Sequence, residues 1–195
     1  MPRHIALIQG HPDPSVRHFG HALTDAYRRG AESAGHEIRL ISVATLEFPI
    51  LRTKADWDTG EPPPSIRDSQ ETIRWANHLV IFYPLWLGSM PAILKAFFEQ
   101  VFRPGFAIRV DSPGGSWKKL LTGKSARIVV TMGMPAFLYR WYFMAHSLKS
   151  LERNILGFSG IGPIRESLVG AIESGDARRR NQWLKTLEEF GCRGR

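Results

Sequence analysis

The chain has 195 residues, 43% of them hydrophobic and 23% charged, with 26 Lys and Arg against 18 Asp and Glu for a formal charge of +8. That length fits one domain over residues 1–195, large enough to bury roughly 70% of the surface its unfolded form exposes. The composition excludes the disordered class, and no apolar run reaches the roughly 18 residues that cross a bilayer, so membrane insertion is not expected.

A single cysteine, Cys192, excludes an internal disulfide framework and a cysteine-based zinc site. The opening MPRHIALIQGHPDP has neither the long apolar segment nor the small-residue cleavage site of a secretory signal, so a cytoplasmic location is expected. The positive charge favours anionic partners. The basic residues are scattered, however, with Arg178-Arg179-Arg180 the only cluster, and no nucleic-acid motif accompanies them. A nucleic-acid partner is therefore not expected, whereas a phosphate-bearing cofactor benefits from the same field.

The first element is the short apolar run from His4 to Gly10, read as a strand buried on both faces. After a Pro-containing loop, apolar residues at Phe19, Ala22, Leu23, Ala26 and Tyr27 predict a helix over 19–34, closed by Gly35. Residues 36–43 alternate like a strand. The prolines of residues 47–64 argue against any regular element there. A helix over 65–77 with Ser65 as N-cap leads into a buried strand over 78–83, and Ser89 is expected to cap a helix, with Pro91 in its first turn, running to about Val101. A loop precedes a strand over 126–131. The aromatic-rich MPAFLYRWYF then feeds a helix through about Leu156, a fifth strand spans 164–168, and the last helix spans 176–190. Five strands alternating with five helices predict an α/β domain with a parallel sheet and helices on both faces.

In such sheets ligands sit outside the carboxyl ends of the strands. The first of the loops there, GHPDPSVRHF, offers N–H groups at a helix N-terminus, with His11 and Arg17 to add charge, which suits a phosphate. From spacing alone, a Pro-rich turn with a surface His and Arg is an equal reading. GxGxxG and GxxxxGK[ST] are both absent. The second loop, PLWLGSMP, pairs apolar Leu85, Trp86 and Leu87 with N–H donors expected to be unpaired. The third, TMGMPAFLY, repeats this with Gly133 and then Tyr139. Together they suit a planar heterocycle, although each aromatic taken singly is better explained by core packing.

HLVIFYPLWLGSMPAILKAFFEQVF, with GFAIR after it, EFPILRTKADW before it and ALIQGHPDP at the start, resembles the flavodoxin-like NAD(P)H:quinone oxidoreductases of the DT-diaphorase-like kind. The resemblance runs from the first strand to beyond the fourth. It implies a flavodoxin-like three-layer sandwich with strand order 2-1-3-4-5. It also implies a flavin, FMN with FAD as the alternative, and NAD(P)H as co-substrate. By position, His11, Arg17, Phe19 and Gly20 would line the phosphate, and Pro84, Leu85, Trp86 and Leu87 the ring edge, which Thr131, Met132, Gly133 and Met134 complete. Three positions depart from the family: Gly20 stands where it carries Asn, TMGM where it carries TTGG, and Arg17 where it carries a hydroxyl residue. Tyr139 matches the family's catalytic Tyr. His146 lies about one position from its catalytic His, and Tyr142 competes for that role. Phe106, Ile108, Trp141 and Tyr142, with Trp86, would wall the acceptor site.

The activity this implies is ping-pong: hydride passes from NAD(P)H to flavin N5, and a quinone-like acceptor then takes two electrons from the same face. Family members are usually homodimers. The apolar face of Ile93, Phe97, Phe98 and Val101 is wide enough for both sheet and partner, though a buried helix looks alike. The rival readings are a flavodoxin-like electron carrier, a regulatory subunit of a potassium-efflux system, and a metal hydrolase on His18 and His21. The carrier is disfavoured by the basic charge, and HxxH without neighbouring carboxylates is a weak ligand set.

Overall fold

The computed structural model describes residues 1–15, 18–110, 116–173 and 176–195. Its main sheet is parallel and comprises β1 (His4–Gln9), β2 (Glu37–Ser42), β3 (His78–Pro84), β6 (Ser125–Thr131) and β7 (Ile164–Val169). The order is β2-β1-β3-β6-β7, which is the expected 2-1-3-4-5 order of the flavodoxin-like fold. All seven residues of β3 are buried, as its unbroken apolar run requires. The register aligns Ile8 with both Ile41 and Ile81, and Ile81 with Ile128.

Alternation along the strands sends side chains to two cores. Ala6, Ile8, Ile81 and Ile128 face α3 (Pro64–Trp75) and α4 (Ala92–Val101). Ile5, Leu7, Val80 and Phe82 face α1 (Phe19–Ser33) and α7 (Ala177–Cys192). The α1–α7 contact needs glycine on both sides. A Cβ on Gly30 would lie 2.0 Å from the Glu188 carbonyl oxygen, and one on Gly191 2.1 Å from that of Tyr27. Asp176 caps α7, its carboxylate accepting from the N–H groups of Arg178 and Arg179.

The structure departs from the sequence reading in five places. Residues 47–64 contain a five-residue helix, α2 (Lys54–Asp58), because Thr53 and Asp56 form a reciprocal capping box and the prolines flank it without entering it. Ser65 lies inside α3, whose N-cap is Pro63, and its hydroxyl donates to the Glu47 carbonyl at 2.7 Å. Ser89 likewise does not cap α4, which begins after Pro91. The long loop before β6 carries an antiparallel pair, β4 (Ile108–Val110) with β5 (Trp117–Lys119). The single helix expected from the aromatic segment through Leu156 is divided. It becomes α5 (Ala136–Trp141), α6 (His146–Ser150) and a wider π-helical stretch (Leu151–Gly157), with Met144 and Ala145 at φ 53° and 48° between α5 and α6.

Of the α4 face proposed to serve two surfaces, Phe97, Phe98 and Val101 are enclosed by the chain's own core. No helix among the described residues is long and apolar enough to cross a membrane.

Candidate flavin-binding site

The topological switch point lies between β1 and β3, where the chain first moves outward to β2 and then returns past β1. Backbone hydrogen bonds stitch the loops at this edge together. Gly10 N–H donates to the Phe82 carbonyl (2.7 Å), Leu85 N–H to Thr131 (2.8 Å) and Met132 N–H to Val169 (2.9 Å). Gly10 is tightly enclosed, since a Cβ there would fall 2.5 Å from Leu94 Cδ2 and 3.0 Å from the Phe82 carbonyl oxygen.

The first loop is organised by Gln9, which is 3% exposed. Its amide Nε2 donates to Thr24 Oγ1 (2.7 Å) on α1, while its Oε1 accepts from His11 N–H (3.0 Å). His11 is 7% exposed and stacks on His18, with ring centroids 4.0 Å apart. His21 lies 5.5 Å from His11, and Trp86 meets His11 edge-on at 5.9 Å. His18 Nε2 approaches Asp13 Oδ2 at 2.6 Å, and His21 Nε2 the Asp13 carbonyl at 3.0 Å. Burial, and then the neighbouring His18, lower the pKa of His11. The hydrogen bond with His18, followed by the Ser15 N–H, lowers that of Asp13.

His18 is the N-cap of α1 but makes no side-chain cap bond, and no acidic residue occupies the first turn. The N–H groups of Phe19 and Gly20 have no protein partner among the described residues. They stand at the positive end of a 15-residue helix, where such donors lack intrahelical acceptors. Arg17, predicted to add charge here, lies outside the described residues.

The second loop is more internally bonded than its sequence suggests. Trp86 and Ser89 exchange two backbone bonds (2.8 and 2.9 Å) around Leu87 and Gly88, whose φ values of 47° and 76° make a tight left-handed turn. The N–H groups of Leu85, Trp86 and Ser89 are therefore engaged, and those of Leu87 and Gly88 have no partner among the described residues. Leu87 is fully exposed and Trp86 half-exposed, while Pro84 is buried at the end of β3. In the third loop Thr131 and Met132 are buried, and the N–H groups of Gly133 and Met134 likewise lack partners among the described residues. The Glu173 carboxylate lies against Gly133, 3.1 Å from where a Cβ would stand.

The other predicted residues lie on or beside α5, α6 and β4. Tyr139 is 1% exposed, and its hydroxyl meets Ser147 Oγ (2.7 Å) and accepts from Leu148 N–H (3.2 Å). His146 is exposed at the start of α6. Phe106 and Ile108 are buried, and Ile108 lines a cavity of about 180 Å³ with Trp57, Phe98, Phe102, Ile155 and Phe158. Trp141 and Tyr142 are 75% and 77% exposed, so these four do not share one surface. The sequence reading missed Gln9 and Asp13. It weighed His18 and His21 only as metal ligands, and no group of side chains suited to a metal ion occurs among the described residues.

The donor set fits a phosphorylated flavin in kind. A helix N-terminus with free N–H groups and imidazoles suits the phosphate, and loop amides beside exposed apolar side chains suit a ring. Fold and candidate site thus define an α/β protein with a donor-lined edge at the carboxyl ends of a parallel sheet, the place where such sheets take their ligands. Residues 3–190 match the Flavodoxin_2 family model, described as a flavodoxin-like fold, and the chain belongs to this family. It is 27% identical over 183 residues, 92% of this chain and 89% of the relative, to an uncharacterized NAD(P)H oxidoreductase of Haemophilus influenzae. It is 26% identical over 187 residues, 82% of this chain and 86% of the relative, to an FMN-dependent NADH:quinone oxidoreductase of Nitratidesulfovibrio vulgaris. Its fold superposes, with a TM-score of 0.82 over 100% of both chains and 20% identity, on an NAD(P)H:quinone oxidoreductase from Methanothermobacter marburgensis.

Proposed function

We propose that this chain is a flavin-dependent NAD(P)H oxidoreductase that uses FMN and reduces quinone-like acceptors. The observation that carries the reading is the convergence, at one sheet edge, of a donor set suited to phosphate with a second suited to a flat heterocycle. FMN is chosen over FAD because the Nitratidesulfovibrio relative, similar over most of both chains, is named FMN-dependent. Bound there, the flavin would supply hydride acceptance from NAD(P)H and two-electron delivery to the acceptor, the two substrates visiting one face in turn.

The chain's own part is orientation and electrostatics. His11 and the N–H groups of Phe19 and Gly20 hold the phosphate. The N–H groups of Leu87, Gly88, Gly133 and Met134 meet the polar rim of the ring, where fixed donors stabilise developing negative charge. Trp86 and Leu87 exclude water from its face. Tyr139 and His146 remain candidates for that polar rim, and Tyr139 reaches it only by giving up its bond to Ser147. The reading includes a cytoplasmic location and a homodimer, and the exposed apolar strip of Phe137, Trp141, Tyr142, Phe143 and Met144 supports the homodimer.

The test is reconstitution of the purified chain with FMN and with FAD, followed by anaerobic NADH or NADPH. Loss of absorbance near ~450 nm, where flavins absorb, and its return on adding a simple quinone are expected. Parallel initial-rate lines would support alternating substrate visits. A chain that retains neither flavin, or retains one that NAD(P)H leaves unchanged, refutes the reading.

A further inference from the structure

The first loop holds more imidazole than a phosphate-binding turn needs. His11, His18 and His21 lie with ring centroids 4.0, 5.5 and 6.1 Å apart, gathered around Asp13 at the N-terminus of α1. The buried His11 ring is poised between two protonation states. Its Nδ1 is 3.1 Å from both the N–H and the carbonyl oxygen of Asp13. Neutral, Nδ1 accepts from that N–H. Protonated, it donates to that carbonyl, so either state finds a partner without moving the ring. With Nδ1 held this way, the other nitrogen, Nε2, is an N–H donor with no partner among the described residues. His18 Nε2 lies 2.6 Å from the Asp13 carboxylate.

We propose that His11, His18 and His21 form a proton-coupled anion clamp, in which binding of a phosphate dianion at the α1 N-terminus draws protons from solvent onto the imidazoles. The inference rests on the flavin reading for the identity of the phosphate-bearing ligand and adds His18 and His21 to the residues that recognise it.

The electrostatics run in the required direction. Without a ligand, burial and mutual repulsion among the imidazoles disfavour charge on His11. A dianion a few ångströms away reverses that balance and raises imidazole pKa values, because opposite charge favours the protonated form. Among the described residues, the charged and titratable groups that reach His11 are His18, His21 and Asp13. Trp86 closes the side towards β3 without a charge. From α7, Arg180 sits 5.7 Å from the Phe19 ring and adds a fixed positive charge that does not titrate in this range. Linkage fixes the sign: if the complex binds more protons than the free protein, affinity strengthens as pH falls. The trend stops near pH ~6, where a phosphate monoester itself takes up its second proton.

The experiment compares FMN with riboflavin, which has the same ring and no phosphate, by fluorescence titration of apoprotein between pH 6.5 and 8. FMN should bind about 5- to 10-fold more weakly at the upper end. Riboflavin should change little. Calorimetry at pH 7 in two buffers of different ionisation enthalpy should count roughly half to one proton taken up with FMN. The double variant His18→Gln, His21→Gln should flatten the FMN slope to under about 2-fold, its riboflavin binding serving as the check that it folds. The proposal is overturned if wild-type FMN affinity is flat with pH, if no protons are taken up, or if the folded double variant keeps the full slope. If neither flavin binds, the flavin reading falls while the clamp is still decided with inorganic phosphate. Imidazole resonances whose pKa values rise on phosphate addition support it, and unchanged ones overturn it.

Discussion

Replacing Tyr139 with Phe separates two roles for this residue. Its hydroxyl supplies the acceptor for Leu148 N–H, one of the unpaired donors in the first turn of α6, and Leu148 is completely buried. Removing the oxygen leaves that N–H without a partner and out of reach of water, which costs about 1–3 kcal/mol. Ser147, only partly buried, can turn its hydroxyl to solvent and adds little. With a urea slope of about 2–3 kcal/mol/M, a central value of about 2 kcal/mol moves the unfolding midpoint down by ~0.7–1 M. The assay is urea unfolding of apoprotein followed by far-UV circular dichroism, beside NAD(P)H-driven flavin bleaching in the reconstituted protein. Tyr139→Phe should be destabilised by that amount, and Ser147→Ala by less, since the bond to Leu148 survives. A Tyr139→Phe midpoint within ~0.2 M of wild type, accompanied by a tenfold or greater loss of hydride transfer, would refute the reasoning. It would place the phenol on the ligand and off Leu148.

Two further substitutions probe the sheet and its rim. His78, 1% exposed and bonded to Ser125 Oγ at 2.8 Å, has its pKa lowered to about 3 by burial and then by Arg3, Arg127 and Arg165. The unfolded chain therefore binds more protons between pH ~6.5 and about 3, so this group's contribution to stability is complete above that window and falls by up to ~1.4 kcal/mol per pH unit within it. His78→Asn should lose less stability than wild type between pH 6.5 and 4.5 in urea titrations, and identical losses would contradict the assignment. Leu87 holds a left-handed φ of 47° while fully exposed, a conformation costing a branched residue roughly 1–2 kcal/mol. Leu87→Asn should raise the melting temperature by about 2–4 °C and weaken FMN binding. A lower melting temperature, or unchanged affinity, would show that the strained leucine is not kept for a ligand.

The strands were legible because β1 and β3 carry continuous apolar runs and β6 does so apart from Arg127, each bounded by turn residues. Their parallel arrangement alone places three loops at one edge. Cap positions were less legible. Ser65 and Ser89 are favourable N-cap types, but Pro63 and Pro91 already set the extended backbone that precedes each helix. The Ser65 hydroxyl goes to Glu47, eighteen residues away in sequence. Spacing placed Tyr139 just after the third loop without revealing which way its hydroxyl turns. That direction depends on the reversal at Met144 and Ala145, two non-glycine residues in left-handed conformation that no local pattern announces. The imidazole cluster was hidden for a related reason. His11 belongs to the loop and His18 and His21 to the start of α1, and the Gln9 bridge to Thr24 and His11, with the contacts of His18 and His21 to Asp13, brings the loop back over the helix end.

The two ends of the site are built differently, and the difference bears on how a ligand is held. At the proposed phosphate end, Gln9, Thr24, His11 and Asp13 form a continuous hydrogen-bonded net, much of it buried, so its donors would be fixed before a ligand arrives. At the ring end, Trp86, Leu87 and the segment from Phe137 to Met144 stand exposed. Ordering such side chains on binding costs roughly 0.5–1.5 kcal/mol each, whereas a preorganised net avoids that loss. Affinity should therefore be concentrated in the phosphate, and the ring end, free to rearrange, is the part that can admit a nicotinamide and a chemically different acceptor in turn. The same asymmetry explains why a strained turn at Leu87 and Gly88 is tolerable: it lies on the side where covering the ring favours exposed apolar surface over local stability.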